Sequence, residues 1–288
     1  MSDRVEIKKT YKTYIGGNFP RSESGHYYKV FDSEGDFLAN ACKCTRKDFR
    51  QAVLAARSAF GGWSSRSAYN RGQILYRIAE MMETRRDQFV RELASVGFTK
   101  EEANADINYS IDRLIYYAGW TDKYTQVFGT INPVASPHFN FSSPDPTGIV
   151  AVLAPENSPL LGLVSVIAPI IAGGNTCIVH ASEKYPLASI SFAEVLNSSD
   201  VPGGVVNILT GIRSELVEHF CSHMDVNAIS YTDSLDKETK TMIDELASEN
   251  LKRVIKNTVD DWYELDAESP YMIMNYQETK TTWHPVGF

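Results

Sequence analysis

The chain has 288 residues, 43% hydrophobic and 22% charged, with 28 Lys and Arg against 36 Asp and Glu for a net charge of −8. This composition suits a globular core and excludes a chain that stays disordered. The acidic residues are dispersed rather than blocked, which argues against a nucleic-acid partner or an anionic membrane surface.

Four cysteines without framework spacing point to a reducing, cytoplasmic setting. The opening MSDRVEIKKTYK lacks the apolar stretch of a signal peptide. A first helix is capped by Thr45 with Asp48 and is expected to bury Phe49, Ala52, Val53, Ala56 and Phe60. A second places Ile74, Leu75, Ile78, Met81 and Met82 on one face, and a third spans about 85–96. A fourth opens with another capping box, Thr99 with Glu102, and carries Tyr109, Tyr116, Tyr117, Trp120 and Tyr124. Aromatics at this spacing read as core, with a binding face as the alternative.

Residues 133–147, PVASPHFNFSSPDPT, form a proline-punctuated extended stretch with a strand-like run at 138–142. Residues 148–183 then read as strand, turn, buried helix, strand: Ile149–Leu153, a break at 154–159, an apolar helix at 160–172, and Thr176–Val179. Two apolar strands joined by a helix make a βαβ unit, which implies a parallel sheet covered on both faces. The helix is the single membrane suspect, but it is too short to span and contains Pro169. The expected fold is therefore α/β: a doubly wound parallel sheet of about five strands with a helical layer before it.

The punctuation of this unit, APENSPL, then IAGGN, then HASE, resembles the cofactor-binding half of the aldehyde dehydrogenase superfamily. The likeness continues in VPGGVVNILTG (201–211), HMDVNAISYTDS (223–234) and NLKRV (250–254). It reaches both ends of the chain, through YIGGNF (14–19) and YQETKTT (276–282). ETKTTWHP and YNRGQILYRIAEMME have the look of the second, non-catalytic module of the family's two-module branch. The family's E-L-G-G-K and its nucleophilic G-Q-x-C are not in the sequence, and only residues 255–275 separate the two flanking landmarks. That is too short for a folding unit. The expectation is residues 1–260 as a cofactor-binding domain with an arm inserted at about 130–148, a carboxyl segment 261–288, and no catalytic domain.

Aldehyde oxidation of the family's kind needs a thiolate to attack the carbonyl, a hydride acceptor, and a base for the water. Cys42 and Cys44 stand near Lys43, Arg46 and Lys47, which could lower a thiol pKa. Cys177 reads as packing, and Cys221 lies between His219 and His223 at a spacing that invites a metal or a Cys–His pair. No catalytic residue is assigned.

The resemblance places the dinucleotide positions at Pro155, Asn157, His180, Glu183, Asp233 and Ser234. Asn157 is the vestigial oxyanion donor, with Glu156 and Ser158 departing from the pattern beside it. His180 stands where the family has the ribose-binding lysine. Glu183 is retained and favours NAD over NADP. Asp233 replaces a glycine at the start of a helix, where it would cap the helix and repel a pyrophosphate. NAD is therefore expected to bind weakly, and no cofactor is required.

By resemblance, the 133–147 stretch is an oligomerisation arm with which residues 276–283 pair. Its partner is a second copy or a complete aldehyde dehydrogenase. The acidic 260–268 segment, with Trp262 and Tyr263, is expected to cap the exposed sheet. Two functions follow: a non-catalytic scaffold or partner subunit, or an NAD-binding subunit whose active site a partner chain completes.

Overall fold

A computed structural model describes residues 8–232 and 234–287. It begins with an antiparallel hairpin, β1 (Tyr27–Phe31) and β2 (Phe37–Cys42), which the sequence reading did not anticipate. Helix α1 (Arg46–Ser64) forms the expected Thr45–Asp48 capping box and buries Phe49, Ala52, Val53 and Ala56. Phe60 is only half-buried, and Trp63 fills the core in its place. The Trp63 indole N–H donates to the Ile171 carbonyl (3.1 Å), which fixes that side of the last turn inward.

Helices α2 (Ala68–Thr84), α3 (Arg86–Ser95) and α4 (Lys100–Trp120) follow as expected, α4 with its Thr99–Glu102 box. Of the aromatic series, Tyr117 is fully buried while Tyr109 is exposed. Tyr124 is buried but belongs to a separate short helix, α5 (Tyr124–Phe128). Two strands, β3 (Thr130–Asn132) and β4 (His138–Pro146), complete this half, β4 running past the expected end at Ser142.

The central sheet then winds in order: β5 (Ile149–Leu153), α6 (Leu161–Ala172), β6 (Thr176–His180), α7 (Pro186–Asn197), β7 (Val206–Leu209) and α8 (Arg213–Ser222). It continues through β8 (Ala228–Thr232), α9 (Lys237–Ser248) and β9 (Arg253–Asn257). The strand order is β7-β6-β5-β8-β9, all parallel. Successive residues of each strand face two different cores. Val150, Val152, Cys177 and Val179 join the layer built by α2, α4, α6 and α7. Ile149, Ala151, Leu153 and Ile178 join α1 and α8 on the other face. Doubly covered strands therefore read as unbroken apolar runs. Every residue of α6 is buried for the same reason, between the sheet and the outer helices. Among the described residues, no helix is long and apolar enough to cross a membrane.

After β9 the chain makes a 3-10 turn (Leu265–Ala267) and a short helix α10 (Pro270–Met274) before β10 (Gln277–Pro285). β10 pairs antiparallel with β4 from Gln277↔Pro146 to Pro285↔His138, and β3 covers the other edge of β4. Pro144 and Pro146 fall beyond the end of β3, where β4 has a neighbour on one side only. A missing N–H is tolerated there.

The 258–276 segment, expected to cap the sheet, reaches the sheet's carboxyl edge at residues 259–263. Elsewhere it packs on α4 and, through α10, on α6. Trp262, Ala267 and Ile273 are part of the main core. Arg113 of α4 is 2% exposed; its Nη2 donates to Trp262 O (3.1 Å) and its Nη1 to Ala267 O. Its Nε faces the Glu268 carboxylate at 3.2 Å, an ion pair without hydrogen-bond alignment. Tyr263 donates to Asp106 (3.0 Å) and Tyr117 to Ser269 O (3.4 Å).

Candidate functional site

Ligands of doubly wound sheets bind beyond the carboxyl ends of the strands, where the winding reverses. That reversal falls here between β5 and β8. A crevice of about 390 Å³ opens at this point. Pro155, Asn157 and Ser158 line it from the loop after β5, Thr232 from the end of β8, Ser234 from the turn before α9, and Asp106 from α4. A second, larger cleft of about 960 Å³ lies between the loops after β6 and β7 and the β1 hairpin strand. Its walls include Tyr28, Phe31 and Tyr185, and its floor Glu156, Glu183 and Arg213.

The positions expected from sequence are thus divided. Pro155, Asn157 and Ser234 share the switch-point crevice, while Glu183 belongs to the larger cleft. Asp233 lies outside the described residues. Its expected capping role passes to Asp236, since α9 begins only at Lys237. The Asp236 carboxylate accepts from Thr239 N (2.8 Å) and Thr239 Oγ1 (2.7 Å). Residues 234–236 lie outside the helix.

His180, expected among the cofactor residues, lines neither of these two cavities. It is fully buried, with its ring edge-on to Phe220 of α8 at 6.1 Å. Strand parity explains this: His180 lies two residues from Ile178 and points into the same core. Burial first, and Arg213 second, hold its pKa down to about 3. Neither ring nitrogen makes a hydrogen bond of normal geometry, although backbone at Gly211 and Ala181 slightly favours the proton.

Glu183 is committed to the protein itself. Its Oε2 accepts from the Arg213 N–H (2.7 Å) and so caps α8, whose N-cap residue Ile212 has no side-chain acceptor. Glu156, marked by sequence only as a departure from pattern, is a central residue of the site. Its Oε2 accepts from Ser182 Oγ (2.9 Å), Glu183 N (2.9 Å) and Lys184 N (3.3 Å). Its Oε1 pairs with Arg213 Nη2 at 2.6 Å, and that nitrogen also donates to Ala154 O (2.7 Å). Nothing in the sequence singled out Arg213 beyond its place after a strand end.

All four cysteines are buried. Burial pushes the thiols of Cys44 and Cys221 up to about 12, and raises that of Cys177 as well. The cations expected to activate Cys44 are turned elsewhere: Lys43 pairs with Glu215 (2.7 Å) and Lys47 with Glu23 (2.8 Å). Asp48, close to Cys44, raises the thiol further. No cysteine lines the switch-point crevice. Among the described residues, no group of three or more His, Cys, Asp or Glu is placed to hold a metal ion.

Asp106 is the perturbed acid of the crevice. Burial raises its pKa to about 6, against donors from Tyr263 and the Leu161 N–H (3.1 Å) that lower it. The folded state therefore holds this proton more tightly than the unfolded chain, where an Asp titrates near ~3.9. The stability it contributes is full below that value and is lost as pH rises through about 6. Asp106→Asn is expected to flatten the stability profile between those limits, measured by urea unfolding at a series of pH values. An unchanged slope would place the titration elsewhere.

Sheet order, switch-point crevice and covered helical layers define a doubly wound protein of the dinucleotide-binding kind. The aldehyde dehydrogenase family model matches residues 19–280, so the chain belongs to the aldehyde dehydrogenase family. It is 33% identical over 278 residues to the cytosolic 1 aldehyde dehydrogenase of Elephantulus edwardii, covering 93% of this chain and 52% of that protein. It is also 33% identical over 278 residues to retinal dehydrogenase 2 of Gallus gallus, with 93% and 51% covered. The NAD+ complex of an aldehyde dehydrogenase from Bacillus cereus superposes with a TM-score of 0.81 at 27% identity, covering 86% of this chain and 50% of that one. The chain spans about half the length of these relatives.

Proposed function

We propose that this chain is a non-catalytic member of its family, a scaffold or partner subunit for a complete aldehyde dehydrogenase or for a second copy of itself. The observation that carries this reading is the state of the thiols: all four are buried and none faces the switch-point crevice. Without a thiolate there is no hemithioacetal for Asn157 to stabilise. The residues at the dinucleotide positions do not fit the cofactor either, because His180 is sealed in the core and Glu183 caps α8. The scheme of a cofactor-type domain, 1–260, with an arm at about 130–148 and a carboxyl segment from 261 belongs to this proposal, as does a cytoplasmic setting.

The arm supports an assembly role. β10 is an edge strand whose residues after Gln277 are all exposed. Ile131 and Phe141 are register partners, and Phe139 shares their face, leaving apolar side chains open to solvent. Unpaired edges beside exposed apolar residues favour pairing with another chain. An NADH titration of the purified chain, followed by nicotinamide fluorescence, is expected to show no saturation below millimolar concentration. Saturable micromolar binding would overturn the scaffold reading. It would support the second one, an NAD-binding subunit, which rests on Pro155, Asn157 and Ser234 sharing the crevice.

A further inference from the structure

We infer that β10 pairs with β10 of a second copy, antiparallel and centred on Thr281, so that the two three-stranded sheets become one. The inference rests on the assembly reading above and gives it a partner and a register. Among the described residues, the other strand edges are short, bulged or already closed. β3 has three residues and β9 five. The β1–β2 hairpin carries a register shift between Val30 and Phe31. β7 is bridged by Tyr14, whose N–H donates to Ile208 O (2.9 Å) and whose carbonyl accepts from Ile208 N (2.8 Å). β10 runs nine residues, about 30 Å, without a shift against β4, and no strand of the described residues covers its outer side. Edges that avoid pairing carry bulges, outward lysines or prolines. The lysine of β10, Lys280, is drawn back onto Asp145 of β4, and its proline, Pro285, stands at the last position.

Hydrogen-bond geometry limits the register. Every second residue of an antiparallel strand turns its N–H and C=O outward, and outward residues pair only with outward residues. A two-fold axis between copies must therefore pass through a residue rather than between two. A centre at Thr281 alone gives all nine residues, Gln277–Pro285, a counterpart. It sets Glu278 opposite His284, Thr279 opposite Trp283 and Lys280 opposite Thr282. A centre at Lys280 would oppose two ammonium groups, and one at Thr282 would oppose Lys280 to His284. Like charges directly opposite destabilise a strand pair, whereas carboxylate–cation and aromatic–β-branched pairs stabilise it. Trp283 is 56% exposed in the single chain and gains cover from Thr279 and Thr281 of the second copy. Glu278 is anchored by Arg253 (2.8 Å) with its side chain still half-exposed. Pro285 has no N–H, and the Gln277 carbonyl opposite it already accepts from Arg253 Nη1 (2.5 Å), so that pair strands no acceptor. Because counterparts share parity, Ile131, Phe139 and Phe141 of both copies fall on one face of the joined sheet.

Sedimentation velocity of the full chain tests the pairing, with wild type, Thr281→Lys, Thr281→Glu, Thr281→Cys and Thr282→Cys. Wild type is expected to be dimeric at about 100 μM. Thr281→Lys and Thr281→Glu each place a charge against its own copy on the two-fold axis and should weaken the dimer about tenfold or more. Mixing the two should restore it, because each charge then meets its opposite. Thr281 is exposed and its hydroxyl contacts Ser142 (2.8 Å) at the surface, so both variants should keep the wild-type Tm. Under mild oxidation Thr281→Cys should form a disulfide between chains, since facing Cα atoms lie within disulfide reach. Thr282→Cys should stay reduced, and the four native cysteines are buried. A monomeric wild type, a dimer indifferent to either charge, or equal cross-linking of Thr282→Cys overturns the pairing. Failure of the scaffold reading is read separately: a chain that dimerises in this way and also binds NADH at micromolar concentration keeps the pairing and loses the scaffold.

Discussion

His180→Lys is expected to unfold the protein more easily and to add no affinity for NADH. The side chain enters a fully buried space against Phe220, on the strand face shared with Ile178. Burial that holds the imidazole neutral would act equally on an ammonium, and Arg213 beyond it has the same sign. An uncompensated buried charge costs about 3–5 kcal/mol. Urea unfolding of the variant should show that loss at neutral pH, with part of it recovered at higher pH as the lysine deprotonates. NADH fluorescence should be as flat as for wild type. A variant of wild-type stability that bound NADH at micromolar concentration would mean that residue 180 faces the cleft, and the fold assignment around β6 would have to change.

The other large effect is expected at Arg113. Its guanidinium is the joint between α4 and the segment that runs from β9 to β10, holding the carbonyls of Trp262 and Ala267 and the carboxylate of Glu268. Arg113→Ala leaves those acceptors without a donor at a buried place and should cost about 3–5 kcal/mol of stability. The loss should be local as well as global. Limited proteolysis and hydrogen exchange should open residues 258–276 first, because the hydrogen bonds left between them and α4 are those of the Tyr117 and Tyr263 hydroxyls. Arg113→Lys should fare little better, since an ammonium cannot span two carbonyls and a carboxylate as the planar fork does. Wild-type protection of 258–276 in Arg113→Ala would show that apolar packing of Trp262, Ala267 and Ile273 alone seats the segment.

The two variants bear on one question, which contacts hold this family fold together. The sheet and its helices are held by apolar packing on both faces, to which the cofactor positions contribute little. The join from β9 to β10 is carried by an arginine, two tyrosines and three buried apolar residues on α4 and its partner segment. β10 thereby reaches β4 in full register, and the arm keeps an open edge.

Much of this was written in the residue order itself. The capping boxes at Thr45 and Thr99, the apolar runs of β5, α6 and β6, and the pairing of the closing strand with the arm depend on local hydrogen bonds, periodicity and family punctuation. All can be read without coordinates. The burial of His180, the capping of α8 by Glu183, and the convergence of Ser182, Glu183, Lys184 and Arg213 on Glu156 could not be. Each joins segments distant in sequence, and each turns on which way a side chain points at a strand's end, where a shift of one residue exchanges core for cleft. The same holds for Arg113, which sequence shows only as a cation on an amphipathic helix. Short-range forces thus determined the elements and their order, while the directions of a few polar side chains, and with them the character of the site, were decided only by tertiary packing.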